Sequence, residues 1–84
     1  MDKQEIQEKV LSLISEVSGD EITVEELDIE LFAEDVFDSI GAVEFLAMLD
    51  DEVGVCIYPT EIEREEMNTP HKIIEIVNAR MNEE

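Results

Sequence analysis

The chain has 84 residues and carries 24 acidic side chains against five lysines and arginines, which gives a net charge of −19 at pH 7. A chain this short builds a compact core and has no room for a second domain or a deep enclosed active site, so we expect residues 1–84 to form a single domain. Its acidic surface repels nucleic acids and anionic membranes and attracts basic protein surfaces.

Residues 3–17 have the pattern of an amphipathic helix, whereas residues 21–38 show no clear period. Gly19, between the two segments, suits the left-handed turn that ends a helix. The second segment scatters apolar side chains through an acidic stretch, so we expect a long loop with one helical turn near Val24–Leu27. Loops of this length in small domains are often functional. The apolar stripe of the first helix is Ile6, Val10, Leu13, Ile14 and Val17.

A second helix is predicted to begin at Asp38 or Ser39 and to end at Gly54. Cys56 follows it in an apolar run, and we expect this single cysteine to be a small buried residue without a disulfide partner. The predicted inward stripe of the helix is Ile40, Val43, Leu46, Ala47, Leu49 and Val53, and its outer face is Glu44, Met48, Asp51 and Glu52.

The last helix begins after a short turn at residues 59–62, with Thr69 as its N-cap and Pro70 at its first helical position. The chain shows no strand pattern. These elements predict an all-α fold, a small bundle of three long helices and one short helix with a long first loop. The apolar face of the last helix is Ile73, Ile74, Ile76, Val77 and Met81.

Catalytic and metal-binding chemistry find little support in the sequence. A serine nucleophile needs a base with its own orienting group, and the one histidine, His71, is expected to face solvent in the first turn of the last helix. No calcium-binding loop pattern occurs, and the acids at residues 50–52 diverge around a helix. We therefore expect no catalytic residue and no metal site.

The sequence allows two interpretations of Ser39. It can be an ordinary helix-start residue, as Asp-Ser before an amphipathic helix is common. Alternatively, Asp38 caps the helix, the Ser39 hydroxyl points outward, and Gly41 lets other groups approach the backbone closely. A phosphate ester on Ser39 would then lie at a helix N-terminus, which favours an anion.

The order of acidic loop, Asp38-Ser39-Ile40 and amphipathic helix resembles the attachment site of the acyl carrier protein superfamily. The resemblance covers nearly the whole chain and implies an acyl-carrier-type bundle. It also implies that a phosphopantetheinyl transferase links 4′-phosphopantetheine, taken from coenzyme A, to Ser39. The thiol of that arm then carries an acyl or aminoacyl group as a thioester, so the protein itself is not an enzyme.

Two stretches, LFAEDVFDSIGAV at residues 31–43 and NTPHKII at residues 68–74, resemble the D-alanyl carrier branch of the superfamily. Gly41 and the Thr-Pro-x-Lys-Ile turn distinguish this branch from fatty acid carriers. The branch implies D-alanine as the cargo for teichoic acid modification, loaded by a D-alanine ligase and used by a membrane-bound acyltransferase. The chain departs from the pattern of the branch at Ile40, Ala42, Met67 and His71.

Partner enzymes are expected to dock on the second helix, through Asp38, Ile40, Glu44, Met48 and Asp51. We further expect a cytoplasmic monomer without a signal peptide or membrane span, and a tightly packed core that leaves the cargo outside. Two alternatives stay open: an acyl or peptidyl carrier of fatty acid, polyketide or nonribosomal peptide synthesis, and an unmodified acidic protein-interaction module in which Ser39 only starts a helix.

Overall fold

The computed structural model describes residues 2–82, and within that range the protein is helical without any strand. Three α-helices, α1 (Lys3–Ser18), α2 (Ser39–Val53) and α3 (Pro70–Met81), alternate with two short 3₁₀ turns at Val24–Glu26 and Arg64–Met67. The predicted all-α class with three long helices and a long first loop is therefore confirmed. The short helical element lies at Arg64–Met67, just after the predicted turn at residues 59–62, and the helical turn expected in the long loop is also present.

The helix ends follow the local signals in the sequence. The Thr69 hydroxyl accepts a hydrogen bond from the Lys72 N–H at 3.2 Å, and Pro70 occupies the first helical position of α3. Gly19, at φ +80°, ends α1, and Gly54, at φ +81°, ends α2. Both glycines adopt the left-handed conformation that ends helices at low steric cost.

The three helices and the long loop share one apolar core. α1 presents the predicted stripe together with Leu11, while α3 buries Ile73, Ile74 and Val77. The loop adds side chains of its own to this core, which fixes its path over the bundle even though it has no regular period. The loop residues that are buried are Ile22, Leu31 and Phe37.

The predicted inward stripe of α2 is wrong at three positions. The face of the helix that is buried lies about one residue around the helix axis from the predicted face. Ile40 and Val43 are 71% and 49% exposed, and Ala47 is also exposed. Phe45 decides this rotation, since it is fully buried and packs against Phe37 with 5.5 Å between ring centroids. Burying an aromatic ring removes more apolar surface from water than burying a valine. The buried residues of α2 are Ala42, Phe45, Leu46 and Leu49.

Cys56 is exposed, so the expectation of a buried cysteine is wrong. It lies in an irregular, non-helical segment between Val55 and Ile57, which are both buried. Burial alternates along this segment, with Val55 and Ile57 buried and Cys56 and Tyr58 exposed, so Cys56 lies on the solvent side.

Backbone hydrogen bonds hold the end of the long loop where α2 begins. The Leu31 N–H donates to the Asn68 carbonyl at 2.7 Å, and the Leu31 carbonyl accepts from both Val36 and Phe37 at 2.9 Å. The turn closed by these bonds carries Asp35 at φ +60°, a conformation that Asp tolerates better than most residues. This turn delivers Asp38 and Ser39 to the surface beside the second 3₁₀ turn.

Candidate functional site

Ser39 is exposed at the first position of α2, and Asp38 caps that helix. The Asp38 Oδ1 atom accepts the Gly41 N–H at 2.7 Å, while its carbonyl accepts the Ala42 N–H at 2.9 Å. Asp38 therefore satisfies the start of the helix without help from the serine hydroxyl. This geometry matches the hypothesis in which Asp38 caps the helix and Ser39 faces outward.

Gly41 keeps this cap tight. A Cβ atom at Gly41 would lie 3.2 Å from the Asp38 Oδ1 atom and 3.5 Å from the Val17 Cγ1 atom. The first distance is shorter than ordinary van der Waals contact, so the capping carboxylate would have to move. The glycine predicted to allow close approach does so, and the group that approaches is the Asp38 cap.

Arg64 is the residue that the sequence interpretation missed at this site. Its Nη2 atom donates a hydrogen bond to the Ser39 Oγ atom at 2.7 Å. Its guanidinium carbon also lies 4.9 Å from the centroid of the Phe32 ring, within range of a cation–π interaction. The available signal in the sequence was that Arg64 is the only lysine or arginine between Lys9 and Lys72.

A shallow apolar cleft of about 190 Å³ begins at Ser39. It is smaller than the roughly 300–1,000 Å³ of pockets that enclose a small ligand, so it can support a flexible group without enclosing it. Arg64 and Ser39 provide polar atoms at its edge. The apolar side chains around it include Phe32, Val43, Leu46, Ile62 and Met67.

Ser15 and Ser18 offer a poorer attachment point than Ser39, and Ser12, though exposed, lies inside α1 rather than at the start of a helix. The Ser15 Oγ atom donates to the Leu11 carbonyl at 2.8 Å and accepts the Ile22 N–H at 2.9 Å, which ties it into the structure. Ser18 bonds within its own turn, where its Oγ accepts the Asp20 N–H at 3.1 Å. Ser39 instead combines exposure, a helix start and an adjacent cleft.

The residues expected to dock partners do not all lie on the outside of α2. Ile40, Glu44 and Asp51 are exposed along one side of the helix. Met48 is half-buried and packs against the core, so its placement on the outer face is wrong. The residues of α2 that do line this side, which we call the outer face of α2, are Ile40, Val43, Glu44, Ala47 and Asp51.

Away from Ser39, charged side chains form salt bridges that join different segments of the fold. Lys3 joins α1 to α3 through the Glu75 carboxylate at 2.7 Å, and Arg80 bonds the Glu61 carboxylate at 2.6 Å. Hydrogen bonds from these cations lower the pKa of Glu75 and of Glu61 below their ordinary value. His71 is exposed and lies 3.6 Å from Glu75.

Other kinds of site have no counterpart near Ser39. An open depression of about 940 Å³ lies between the long loop and α3. Five of its ten lining residues are acidic, and Ser39 and Arg64 do not border it. Within residues 2–82, no group of three or more His, Cys, Asp or Glu side chains is arranged to hold a metal ion. None of the helices in this part of the chain combines the length and apolarity needed to cross a bilayer.

Comparisons of the sequence with a family model and with known proteins agree with each other. Residues 8–77 match the family model described as a phosphopantetheine attachment site. The D-alanyl carrier protein of Abiotrophia defectiva is 40% identical over 90% of this chain and 96% of its own length. D-alanyl carrier proteins of Bacillus licheniformis and Enterococcus faecalis are 38% and 34% identical, over 84% and 88% of this chain and 91% and 95% of their own lengths.

Proposed function

Since the chain belongs to the carrier-protein family with a phosphopantetheine attachment site, we propose that it carries D-alanine for teichoic acid D-alanylation on an arm attached to Ser39. The observation that carries the assignment of Ser39 is its geometry. Its hydroxyl is exposed at the start of α2, the Asp38 carboxylate caps the helix in its place, and an apolar cleft begins beside it.

Attachment requires a hydroxyl that a second protein can reach. The Ser39 Oγ atom attacks the phosphorus of coenzyme A that bears the pantetheine, forming one phosphorus–oxygen bond and breaking the pyrophosphate bond. Adenosine 3′,5′-bisphosphate leaves, and the hydroxyl proton passes to a base of the transferase. Ser39 needs no base of its own, which fits a site where the Arg64 guanidinium donates to its hydroxyl and the Asp38 carboxylate caps α2.

The attached arm supplies a thiol that holds the cargo as a thioester, and this chain supplies its position and its recognition by other enzymes. We propose that the protein is not itself an enzyme. In support, the Ser39 hydroxyl contacts a guanidinium rather than a base, and His71 lies at the start of α3 against Glu75.

A small cargo suits this fold. A gap lined by α2 and α3 side chains, among them Phe45, Leu49 and Ile73, measures about 10 Å³, which is at the lower limit of what one water molecule needs. A long acyl chain would require a cavity there, and an unfilled cavity costs about 24 cal/mol per Å³. The names of its relatives suggest a D-alanyl group as the cargo. Such a group would remain outside the bundle, near the cleft at Ser39.

Three partners follow from this role: a phosphopantetheinyl transferase, a D-alanine ligase and a membrane-bound acyltransferase. We propose that they dock on the outer face of α2, with Asp38 in the motif that the transferase recognises. Exposed Ile40 and Val43 offer an apolar patch next to Ser39, while Glu44 and Asp51 offer charge to basic partners. Transferase and ligase draw on coenzyme A and ATP, so we place this work in the cytoplasm, with the chain acting as a monomer.

A loading assay tests the proposed cargo. The protein is first converted with coenzyme A and a broad-specificity transferase, and intact mass confirms attachment. One sample then receives a D-alanine ligase, D-alanine and ATP, and a matched sample receives an acyl-carrier synthetase and a medium-chain fatty acid. We expect D-alanylation in the first sample and far slower acylation in the second. Efficient fatty acylation with no D-alanine transfer would contradict the assignment.

A further inference from the structure

We propose that Arg64 binds the phosphate that joins the arm to Ser39, which makes it a cofactor-binding residue. This inference rests on the proposed attachment at Ser39. Its starting point is the 2.7 Å hydrogen bond from the Arg64 Nη2 atom to the Ser39 Oγ atom. That oxygen becomes the ester oxygen after attachment. The phosphorus is then bonded directly to an atom that Arg64 already contacts.

The charge of Arg64 is placed unusually for this protein. The chain has 24 acidic residues, and Lys3, Lys9 and Arg80 all pair with carboxylates. Within residues 2–82, neither Arg64 nor Lys72 forms such an ion pair. Lys72 bonds the Glu65 carbonyl, whereas the Arg64 guanidinium contacts a hydroxyl and an aromatic ring. A guanidinium presents a planar set of N–H donors that matches phosphate oxygens. An anion arriving on Ser39 would supply the partner that the surrounding acids do not.

Arg64 is held in position before any arm is attached. Its guanidinium carbon lies 4.9 Å from the centroid of the Phe32 ring, and its 3₁₀ turn is closed by the Glu63 N–H donating to the Glu66 carboxylate at 3.0 Å. The same turn ends at Met67, which is buried in the core. Less conformational freedom is therefore lost when Arg64 binds a phosphate.

A phosphodiester at Ser39 also needs a compensating cation. It would add a negative charge beside the Asp38 carboxylate, in a chain whose net charge is already −19. The start of α2 gives partial compensation through its dipole, but the Gly41 N–H is already taken by Asp38. Arg64 provides a full positive charge at the oxygen concerned.

Phosphorus-31 NMR of the modified protein tests this role directly. The parent, Arg64→Gln, Arg64→Lys and the control Lys72→Gln are each modified with coenzyme A and a transferase, and attachment is verified by intact mass. Lys72 is a suitable control because it is exposed and contacts the Glu65 carbonyl rather than Ser39. Removing it changes the net charge by the same amount as Arg64→Gln.

We expect the phosphorus resonance to shift between the parent and Arg64→Gln, to stay in place in Lys72→Gln and to lie between the two in Arg64→Lys. In the unmutated protein, the side-chain N–H signals of Arg64 should move on attachment. Modification should also lower the melting temperature of Arg64→Gln more than that of the parent. This excess should shrink at roughly 1 M salt, where exposed charges are screened.

Two outcomes would overturn the inference, and they differ in what else they affect. If the parent is modified but its phosphorus resonance equals that of Arg64→Gln and its Arg64 signals do not move, Arg64 does not bind the phosphate, and the carrier function stands. If the parent gains no mass at all, the attachment at Ser39 and the role of Arg64 fail together.

Discussion

The Asp38 carboxylate and the Gly41 backbone N–H form the hydrogen bond, 2.7 Å long, with which α2 begins. A Cβ atom at Gly41 would approach the same oxygen to 3.2 Å, so the cap and the glycine depend on each other. Their pairing frees the Ser39 hydroxyl from capping. The geometry of the proposed attachment site thus rests on the residues on either side of the serine.

Replacing Asp38 should separate its capping role from its charge. Asp38→Ala should lose about 1 kcal/mol of unfolding free energy, because alanine leaves the Gly41 N–H without its partner, and it should also be modified more slowly. Asp38→Asn keeps a capping oxygen and serves as the control, so its stability should remain near that of the parent. Urea unfolding and transferase rates measure the two effects. Unchanged urea unfolding and an unchanged modification rate in Asp38→Ala would contradict both roles.

The effect of Gly41→Ala should depend on the residue at position 38. Alanine is favoured over glycine by about 1 kcal/mol inside a helix, but here its Cβ would press on the Asp38 oxygen. We expect little or no stabilisation in the parent and a clear gain in the Asp38→Ala background, where that oxygen is absent. A double-mutant cycle in urea measures the coupling. Equal effects of Gly41→Ala in the two backgrounds would show that the close approach has no energetic consequence.

Much of the fold was predictable because its signals are local. The steps of three and four in α1 and α3, the Thr69-Pro70 start and the two glycine ends each act within a few residues, and all of them hold in the structure. The capping role of Asp38 belongs to the same class. Helix periodicity and caps depend on residues a few positions apart, and in α1, in α3 and at these helix ends tertiary packing did not override them.

The errors come from contacts between distant residues. The rotation of α2 follows from Phe45 packing against Phe37, and the same rotation brings Met48 toward the core. The contact of Arg64 with Ser39 joins residues that are 25 positions apart, so no local window contains it. These placements depend on how the elements pack together, which a helical period does not specify.

Docking on the outer face of α2 should depend on the sign of its charge. Glu44→Lys should slow loading by the D-alanine ligase, since Glu44 is exposed one turn from Ser39. Glu8→Lys, an identical charge change at an exposed position of α1, is the control and should have a smaller effect. Added salt should slow loading of the parent as well. If neither Glu44→Lys nor salt changes the loading rate, then docking occurs elsewhere on the protein or depends on apolar contacts.

The Lys3–Glu75 pair should contribute stability only while Glu75 is ionised. The hydrogen bond from Lys3 lowers the pKa of Glu75 from its ordinary value of 4.5. A carboxyl whose pKa is lower in the folded state stabilises the fold above its unfolded pKa, and that contribution is lost as pH falls through the folded pKa.

The variant Lys3→Met should therefore raise the pKa of Glu75, as followed by NMR titration of its carboxyl carbon. The part of the stability difference that this pair causes should disappear at acidic pH. Lys9→Met removes the same charge from the pair with Glu52 and is the matched control, which should leave the Glu75 titration in place. An unchanged Glu75 titration in Lys3→Met would show that the 2.7 Å contact is not maintained in solution.

Attachment at Ser39 is tested most directly by the intact mass of the parent and of Ser39→Ala after incubation with coenzyme A and a broad-specificity phosphopantetheinyl transferase. Ser39→Ala should keep the helical circular dichroism of the parent and lose at most about 1 kcal/mol, because its exposed hydroxyl makes a single side-chain hydrogen bond. We predict that the parent gains the mass of one phosphopantetheine and the folded variant gains none. The same gain in Ser39→Ala, which would move the acceptor to a residue such as Ser12, or no gain in the parent, would contradict the account.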